Sequence, residues 1–204
     1  MKIINIKFIL LIHFIGNLIV VQAQGKLSIG LSTQMLNTKL IVNASNINAK
    51  GAYRPTSVLF AEYNFWRKMA VHSGLGYTMM TQNSDAFKNN YHYLAMPLYL
   101  KHGKLEEGKK IAFTTFYGTN LHYLLSSNHI DYDGVKTDLT GHSRKFHLDF
   151  VFGGGLKFKL SDKIILEALT SFSLGSMVNK YNPAYVDVNN LNTGYSLNLS
   201  YKFK

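Results

Sequence analysis

Hydrophobic and polar side chains alternate with a period of two along most of the chain after residue 25. In segment 146–160 the even positions are Phe, Leu or Gly, whereas most odd positions are small or charged. The segment 194–203 repeats this pattern, with Tyr, Leu and Phe alternating with Gly, Ser, Asn and Lys. Alternation of this kind is typical of a β-strand that has one apolar face and one polar face.

The same alternation marks six further segments, so we predict eight strands of about 10 to 13 residues each. Soluble strands are usually about 5 to 6 residues long, whereas a tilted strand that crosses a bilayer needs about 9 to 11. The six further segments are 27–35, 54–65, 69–79, 93–101, 111–123 and 163–174. We therefore predict an all-β fold, an eight-stranded antiparallel up-and-down transmembrane β-barrel of the smallest outer-membrane size.

The connections between these segments alternate between long and short, as in bacterial barrels with short periplasmic turns and longer outer loops. Segments 66–68 and 161–162 are predicted short turns, and 102–110 is intermediate. The predicted long loops are 37–52, 82–90, 126–143 and 176–193.

The N-terminal segment has the features of a secretory signal peptide. Lys2 and Lys7 form a basic region, the mostly apolar stretch Phe8–Val21 follows, and Ala23 completes a cleavage pattern. The apolar stretch is shorter than the ~20 residues of a spanning helix. We therefore predict a signal peptide at 1–23 and a barrel domain at 24–204, located in the outer membrane of a Gram-negative bacterium.

The composition supports a barrel and limits the kinds of binding partner that we expect. Without any cysteine, an exported domain needs stability from a source other than disulfides, and closed backbone hydrogen bonding in lipid supplies it. The net charge of +11 can indicate nucleic acid, which an exported chain rarely meets. We expect a monomer in contact with outer-membrane lipid, lipopolysaccharide and possible envelope or secretion-system proteins, but no nucleic acid. Solubility or charge pairing inside the barrel is an alternative explanation of the charge.

Three stretches resemble the PorT-like outer-membrane β-barrel family. The segment 93–102, YLAMPLYLKH, is similar to that family's Tyr-Leu-Glu-Ile-Pro-Leu-Leu-Leu-Lys strand, and segments 60–77 and 152–167 are also similar to it. The resemblance implies a barrel and an accessory role in secretion or gliding assembly. Ala95 stands where the family often has a carboxylate, and Pro97 predicts a β-bulge because proline cannot donate to a ladder.

Charged residues fall on the inward face of the predicted strands. The interior of an eight-stranded barrel is just wide enough to be filled by side chains, so we predict an ionic plug, with a narrow ion path as the alternative. The residues of this predicted lumen network are Arg54, Glu62, Lys101, Asp149, Lys157, Lys159, Glu167 and Lys202.

Candidate chemistry is sparse, and we predict a non-enzymatic protein with no cofactor and no metal site. His122, Ser126, Ser127 and Asp131 lie near one outer hairpin, as a lipid-modifying enzyme would require, but a G-x-S-x-G elbow is missing. Histidine pairs with metal-ligand spacing are also missing, although a barrel could bring His122 and His147 together on adjacent strands. A soluble lipocalin-like binder is a further alternative.

Aromatic residues are predicted to form girdles at the two membrane interfaces. The girdle nearer the periplasm is predicted to contain Phe65, Trp66, Phe113, Phe158, Tyr201 and Phe203, and the outer one Tyr53, Tyr77 and Tyr123.

Overall fold

The computed structural model of the protein describes residues 26–42, 52–83, 87–106, 108–177 and 188–203. The predicted signal peptide lies outside the described residues. The strands are β1 (Leu27–Val42), β2 (Ala52–Trp66), β3 (Met69–Asn83), β4 (Phe87–His102), β5 (Ile111–Asp131), β6 (Lys136–Asp138), β7 (Phe146–Lys159), β8 (Ile164–Met177) and β9 (Val188–Lys202).

The eight long strands form a closed antiparallel barrel, as predicted. Each long strand pairs with the next long strand in the chain, and the pairing of β1 with β9 closes the circle. The three-residue β6 pairs only with the far end of β5. Closure gives every long strand two partners, which is how a sheet can satisfy its backbone groups in hydrocarbon. No helix among the described residues is long and apolar enough to cross a membrane.

The start of β1 and the end of β9 lie at the same end of the barrel, where Ser28 pairs with Lys202. The connections 67–68, 103–110 and 160–163 lie at this end, which we name the turn end. The opposite end of the barrel, which we name the loop end, carries the connection 132–145 and the strand ends at Val42, Ala52, Asn83, Phe87, Met177 and Val188. The predicted alternation of connections is therefore present, except that β3 and β4 are longer than predicted and leave only 84–86 between them.

The apolar faces of the strands point outward. Phe150 is 65% exposed and Leu199 is 51% exposed, whereas their neighbours Asp149 and Asn198 are buried. A monomeric soluble protein rarely exposes a continuous apolar surface of this kind, because its contact with water is unfavourable. An apolar band around a closed barrel is instead the surface that contacts lipid in transmembrane barrels.

Exposed aromatic side chains occur near both ends of this band. Phe65, Trp66 and Phe113 lie near the turn end and are 44–66% exposed. Tyr77, which is 46% exposed, lies toward the loop end. The side chain of Tyr53 is outside the described set.

The β4–β5 ladder contains a register irregularity, but it is not at Pro97, and its extra residue, Leu125, belongs to β5. The β4–β5 register shifts between His92 and Tyr93, while Pro97 keeps its register opposite Asn120. On the other side, the β3–β4 pairing passes from Ser73–Leu98 directly to Gly76–Ala95. The irregularity that proline requires is thus an interruption of the β3–β4 ladder, because a missing N–H removes a hydrogen bond without requiring an extra residue.

Candidate functional site

Four charged side chains from four strands meet inside the barrel near the turn end. This ionic quartet consists of Glu62 on β2, Lys101 on β4, Lys157 on β7 and Glu167 on β8. Lys101 Nζ lies 2.7 Å from Glu62 Oε2 and 2.7 Å from Glu167 Oε2. Lys157 Nζ lies 3.0 Å from Glu62 Oε1 and 2.9 Å from Glu167 Oε1. Each charge therefore contacts both opposite charges, and the net charge of the quartet is zero.

The register of the strands explains only half of this arrangement. Lys157 and Glu167 are direct partners on β7 and β8. Glu62 and Lys101, however, come from β2 and β4, which flank β3 on another part of the wall. The quartet thus joins separate parts of the barrel wall through its lumen.

Neutral polar groups complete the surroundings of the quartet. Asn198 Nδ2 donates a hydrogen bond of 2.9 Å to Glu167 Oε2. The His72 ring lies between two aromatic rings, with centroid distances of 4.5 Å to Phe60 and 5.5 Å to Tyr99, and its Nδ1 is 3.8 Å from Glu62 Oε2. These neighbours limit the movement of the Glu62 and Glu167 carboxylates.

The other predicted network residues lie apart from the quartet. Asp149 is buried farther toward the loop end, and Arg54 donates a 2.8 Å hydrogen bond to Thr81 Oγ1. Lys202 is half-buried at the turn end. Lys159 differs most from the prediction, because it is exposed and pairs with Asp162 at 2.8 Å. It is the last residue of β7, so alternation no longer directs its flexible side chain into the lumen.

A second buried group, the histidine–aspartate cluster, contains His122 on β5 and His147 and Asp149 on β7. The two imidazole rings stack with a centroid distance of 4.3 Å and an interplanar angle of 11°. Asp149 Oδ2 is 3.2 Å from His122 Nε2, and Asp149 Oδ1 is 3.0 Å from His147 Nε2. All three side chains are almost fully buried, with exposures of 3% or less.

Register brings this cluster together, since His122 is the direct partner of His147 and Asp149 follows two positions later on the same face. On the next part of the wall, Asn192 Nδ2 donates to Ser173 Oγ at 2.9 Å and lies 3.4 Å from Asp149 Oδ2. The sequence predicted that the two histidines could be adjacent but gave no role to Asn192. The position of Asn192 on the inward face of β9 was the available signal.

The cluster lies between an apolar layer and a small cavity. Toward the loop end, Tyr93 packs edge-on against both imidazoles and belongs to a buried group with Met80, Tyr91 and Leu124. On the other side, a cavity of about 40 Å³ is lined by residues that include His122 and Lys101. A cavity of about 10–15 Å³ is enough for one buried water, so this cavity has room for water beside His122.

The residues of the lipid-modifying alternative do not meet. His122 contacts Asp149, while Ser127 Oγ lies 2.9 Å from Ser143 Oγ and Asp131 Oδ1 accepts a 2.8 Å bond from the Val135 amide. A nucleophile and its base need to lie within hydrogen-bond reach of one another. These side chains are instead divided between the lumen and the hairpin beyond it.

That hairpin forms an ordered projection at the loop end. We name residues 125–145 the outer hairpin; it contains the end of β5, β6 and a 3-10 turn at Thr140–His142. The Ser127 amide donates to Thr140 Oγ1 at 2.9 Å, which ties the two arms together. Tyr132 and Val135 at its tip are 86% and 58% exposed.

Comparison with known proteins supports the same fold. No family model matches the chain, and no match was found among curated proteins. Among solved structures, the attachment invasion locus protein Ail of Yersinia pestis is similar at 13% identity and a TM-score of 0.50, covering 88% of this chain and 99% of that one. The outer membrane protein OprG of Pseudomonas aeruginosa is similar at 11% identity and a TM-score of 0.51, covering 89% and 97%.

The chain therefore has the fold of the eight-stranded outer-membrane β-barrels. The closed sheet, the apolar exterior and these neighbours together support an outer-membrane location. The resemblance to PorT-like proteins stays a prediction.

Proposed function

We propose that this protein is a non-enzymatic integral outer-membrane β-barrel of a Gram-negative bacterium, with a lumen closed by its own side chains, that acts through its loop end as a structural or interaction protein. The ionic quartet carries the proposal of a closed lumen. Its four contacts of 2.7–3.0 Å join β2, β4, β7 and β8 through the interior. Eight-stranded barrels have interiors that side chains can fill, so a set of mutually paired charges there favours a plug over a water-filled path.

Conductance measurements test the closed lumen. The protein is inserted into planar lipid bilayers and current is recorded under applied voltage, with a known porin as a positive control. We expect no stable conductance steps from the wild type or from Lys159→Met, whose lysine lies outside the quartet. Discrete steps from the wild type would show an open ion path and overturn this part of the proposal.

Limited proteolysis of intact cells tests the location and orientation. With the turn end in the periplasm, external protease should cleave only at loop-end connections, including the outer hairpin. Cleavage at 67–68 or 103–110 in intact cells would reverse the orientation. Recovery of the protein in the soluble fraction without detergent would instead support the lipocalin-like alternative.

The outer hairpin is our proposed interaction surface. Exposed aromatic residues are enriched at protein interfaces, and Tyr132 is 86% exposed at its tip. Segment 131–145 carries three acidic and three basic residues, so its charge is balanced. This balance favours a protein partner over purely anionic lipopolysaccharide, for which a basic surface would be expected.

In-cell photo-cross-linking tests this surface. A photoreactive amino acid at position 132 should give a discrete cross-linked protein band in intact cells, because this side chain projects from the barrel. The same amino acid at Trp66, exposed at the turn end, is the matched control and should not give that band. An identical band from both positions, or only lipopolysaccharide adducts from position 132, would contradict the proposal.

A further inference from the structure

The histidine–aspartate cluster carries an inference separate from the proposed function. We propose that His122, His147 and Asp149 form a binding site for a divalent transition-metal ion such as Zn²⁺ inside the barrel. The three side chains each offer one ligand atom, and these atoms all lie within 4.8 Å of one another.

Unsatisfied imidazole nitrogens are the first observation behind this inference. Among the described residues, neither ring nitrogen of His147 has a hydrogen-bond partner, and neither does Nδ1 of His122, although all three atoms are buried. His147 Nε2 lies 3.0 Å from Asp149 Oδ1, but outside hydrogen-bond geometry. Buried polar atoms nearly always have a partner, and an ion or ordered water is a common explanation when protein atoms do not supply one.

The ligand chemistry and spacing are the second observation. Neutral imidazole and carboxylate are ligands that zinc prefers, at distances of about 2.0–2.2 Å. Two such ligands around a tetrahedral ion lie about 3.3 Å apart by simple geometry. Asp149 Oδ2 lies 3.2 Å from His122 Nε2 and Asp149 Oδ1 lies 3.0 Å from His147 Nε2, so each histidine has one carboxylate oxygen at about this separation.

The surroundings supply the remaining parts of a metal site. Asn192 Nδ2, 3.4 Å from Asp149 Oδ2, is placed to orient the carboxylate, a role that outer partners of metal ligands commonly have. The cavity beside His122 has room for a water as fourth ligand. Because an imidazole binds a metal in the plane of its ring, the two rings stacked at 11° must turn apart when the ion binds.

Zinc titration of the refolded barrel tests the proposal. Because the cluster lies beneath Tyr91, Met80 and Leu124, the protein should be refolded into detergent with and without Zn²⁺. After removal of free ion, bound zinc is measured by elemental analysis and affinity by competition with a chelating dye. We expect one zinc per chain and a higher thermal unfolding midpoint with zinc present.

Two variants and a control assign the site. His147→Gln and Asp149→Asn should each weaken zinc binding by more than about 100-fold, since even outer partners of a ligand contribute 10–100-fold. His72→Gln, a buried lumen histidine outside the cluster, should bind zinc like the wild type. Heat-modifiable gel mobility shows that each variant is folded.

Three outcomes would overturn the inference. These are less than one zinc per ten chains in the folded wild type, unchanged affinity in folded His147→Gln, and equal loss of binding in His72→Gln. In addition, Co²⁺ in place of zinc should give visible ligand-field bands that Asp149→Asn alters. The closed-lumen proposal is tested independently by conductance, so failure of the zinc proposal would not contradict the closed lumen, and the reverse also holds.

Discussion

Removal of one ammonium group from the ionic quartet is the perturbation with the largest expected effect on stability. In Lys157→Met the two carboxylates of Glu62 and Glu167 share only Lys101, so the buried group changes from neutral to a net charge of −1. In the wild type, Lys101 Nζ lies 2.7 Å from each carboxylate. Methionine is similar in length to lysine, so the substitution changes charge more than packing.

The expected magnitude follows from the two lost contacts of 3.0 Å and 2.9 Å. At an effective dielectric constant of about 20, each is worth roughly 5–6 kcal/mol of Coulomb energy. The cost of desolvating Lys157 offsets much of this attraction. Breaking a buried ion pair by removing one partner typically costs about 3–5 kcal/mol. We expect a loss within this range in the free energy of unfolding.

The double variant Lys157→Met with Glu167→Gln separates charge imbalance from loss of packing. It leaves Lys101 and Glu62 as a neutral pair, so it should be at least ~1 kcal/mol more stable than Lys157→Met alone. Lys159→Met is the matched control. Its exposed pair with Asp162 should contribute less than about 1 kcal/mol.

Urea unfolding in lipid vesicles measures these differences. Trp66, the chain's single tryptophan, is 62% exposed at the turn end and reports insertion through its fluorescence. Heat-modifiable gel mobility gives a second, independent measure of the folded fraction. A loss below 1 kcal/mol for Lys157→Met, or a double variant no more stable than the single one, would refute the electrostatic reasoning.

Three further predictions concern backbone contact, the lipid-facing surface and the turn end. Gly155→Ala should destabilise the barrel by about 1–3 kcal/mol in urea unfolding, because the new alanine Cβ would lie 2.0 Å from a backbone oxygen of β8. Gly141→Ala is the control: it has open space around the new Cβ and should not change the free energy of unfolding. Phe152→Arg, on the exposed apolar face, should cost about 2–4 kcal/mol in vesicle unfolding if this position lies near the bilayer midplane; no loss would contradict the lipid contact. Hydrogen bonds from lysines at the turn end lower the pKa of Glu106 to about 2. Any stability that these hydrogen bonds give is therefore present above about pH 4.5 and lost toward pH 2. Lys109→Ala should raise the pKa of Glu106 in an NMR titration, and an unchanged pKa would refute the pairing.

The fold followed from the sequence because alternation is a local property of a strand. Positions such as Phe150 and Asp149 differ by one residue and must face opposite sides of a sheet. Predicted strands longer than those of soluble proteins then favoured a membrane-spanning barrel, in which the apolar face of each strand faces the lipid. The ends of the strands were less predictable: β4 extends back to Phe87 and β5 extends to Asp131, since pairing with a neighbour continues there without apolar alternation.

The buried clusters depended on the tertiary structure to different degrees. The sequence placed Glu62, Lys101, Lys157 and Glu167 on inward faces, but their mutual contacts required the curvature and stagger of the closed barrel, which no local pattern contains. Lys159 shows the limit of alternation, because a strand-end lysine can turn to a nearby aspartate. Likewise, adjacent registers brought His122 and His147 together, whereas only side-chain packing in three dimensions left three of their four ring nitrogens without a hydrogen-bond partner among the described residues.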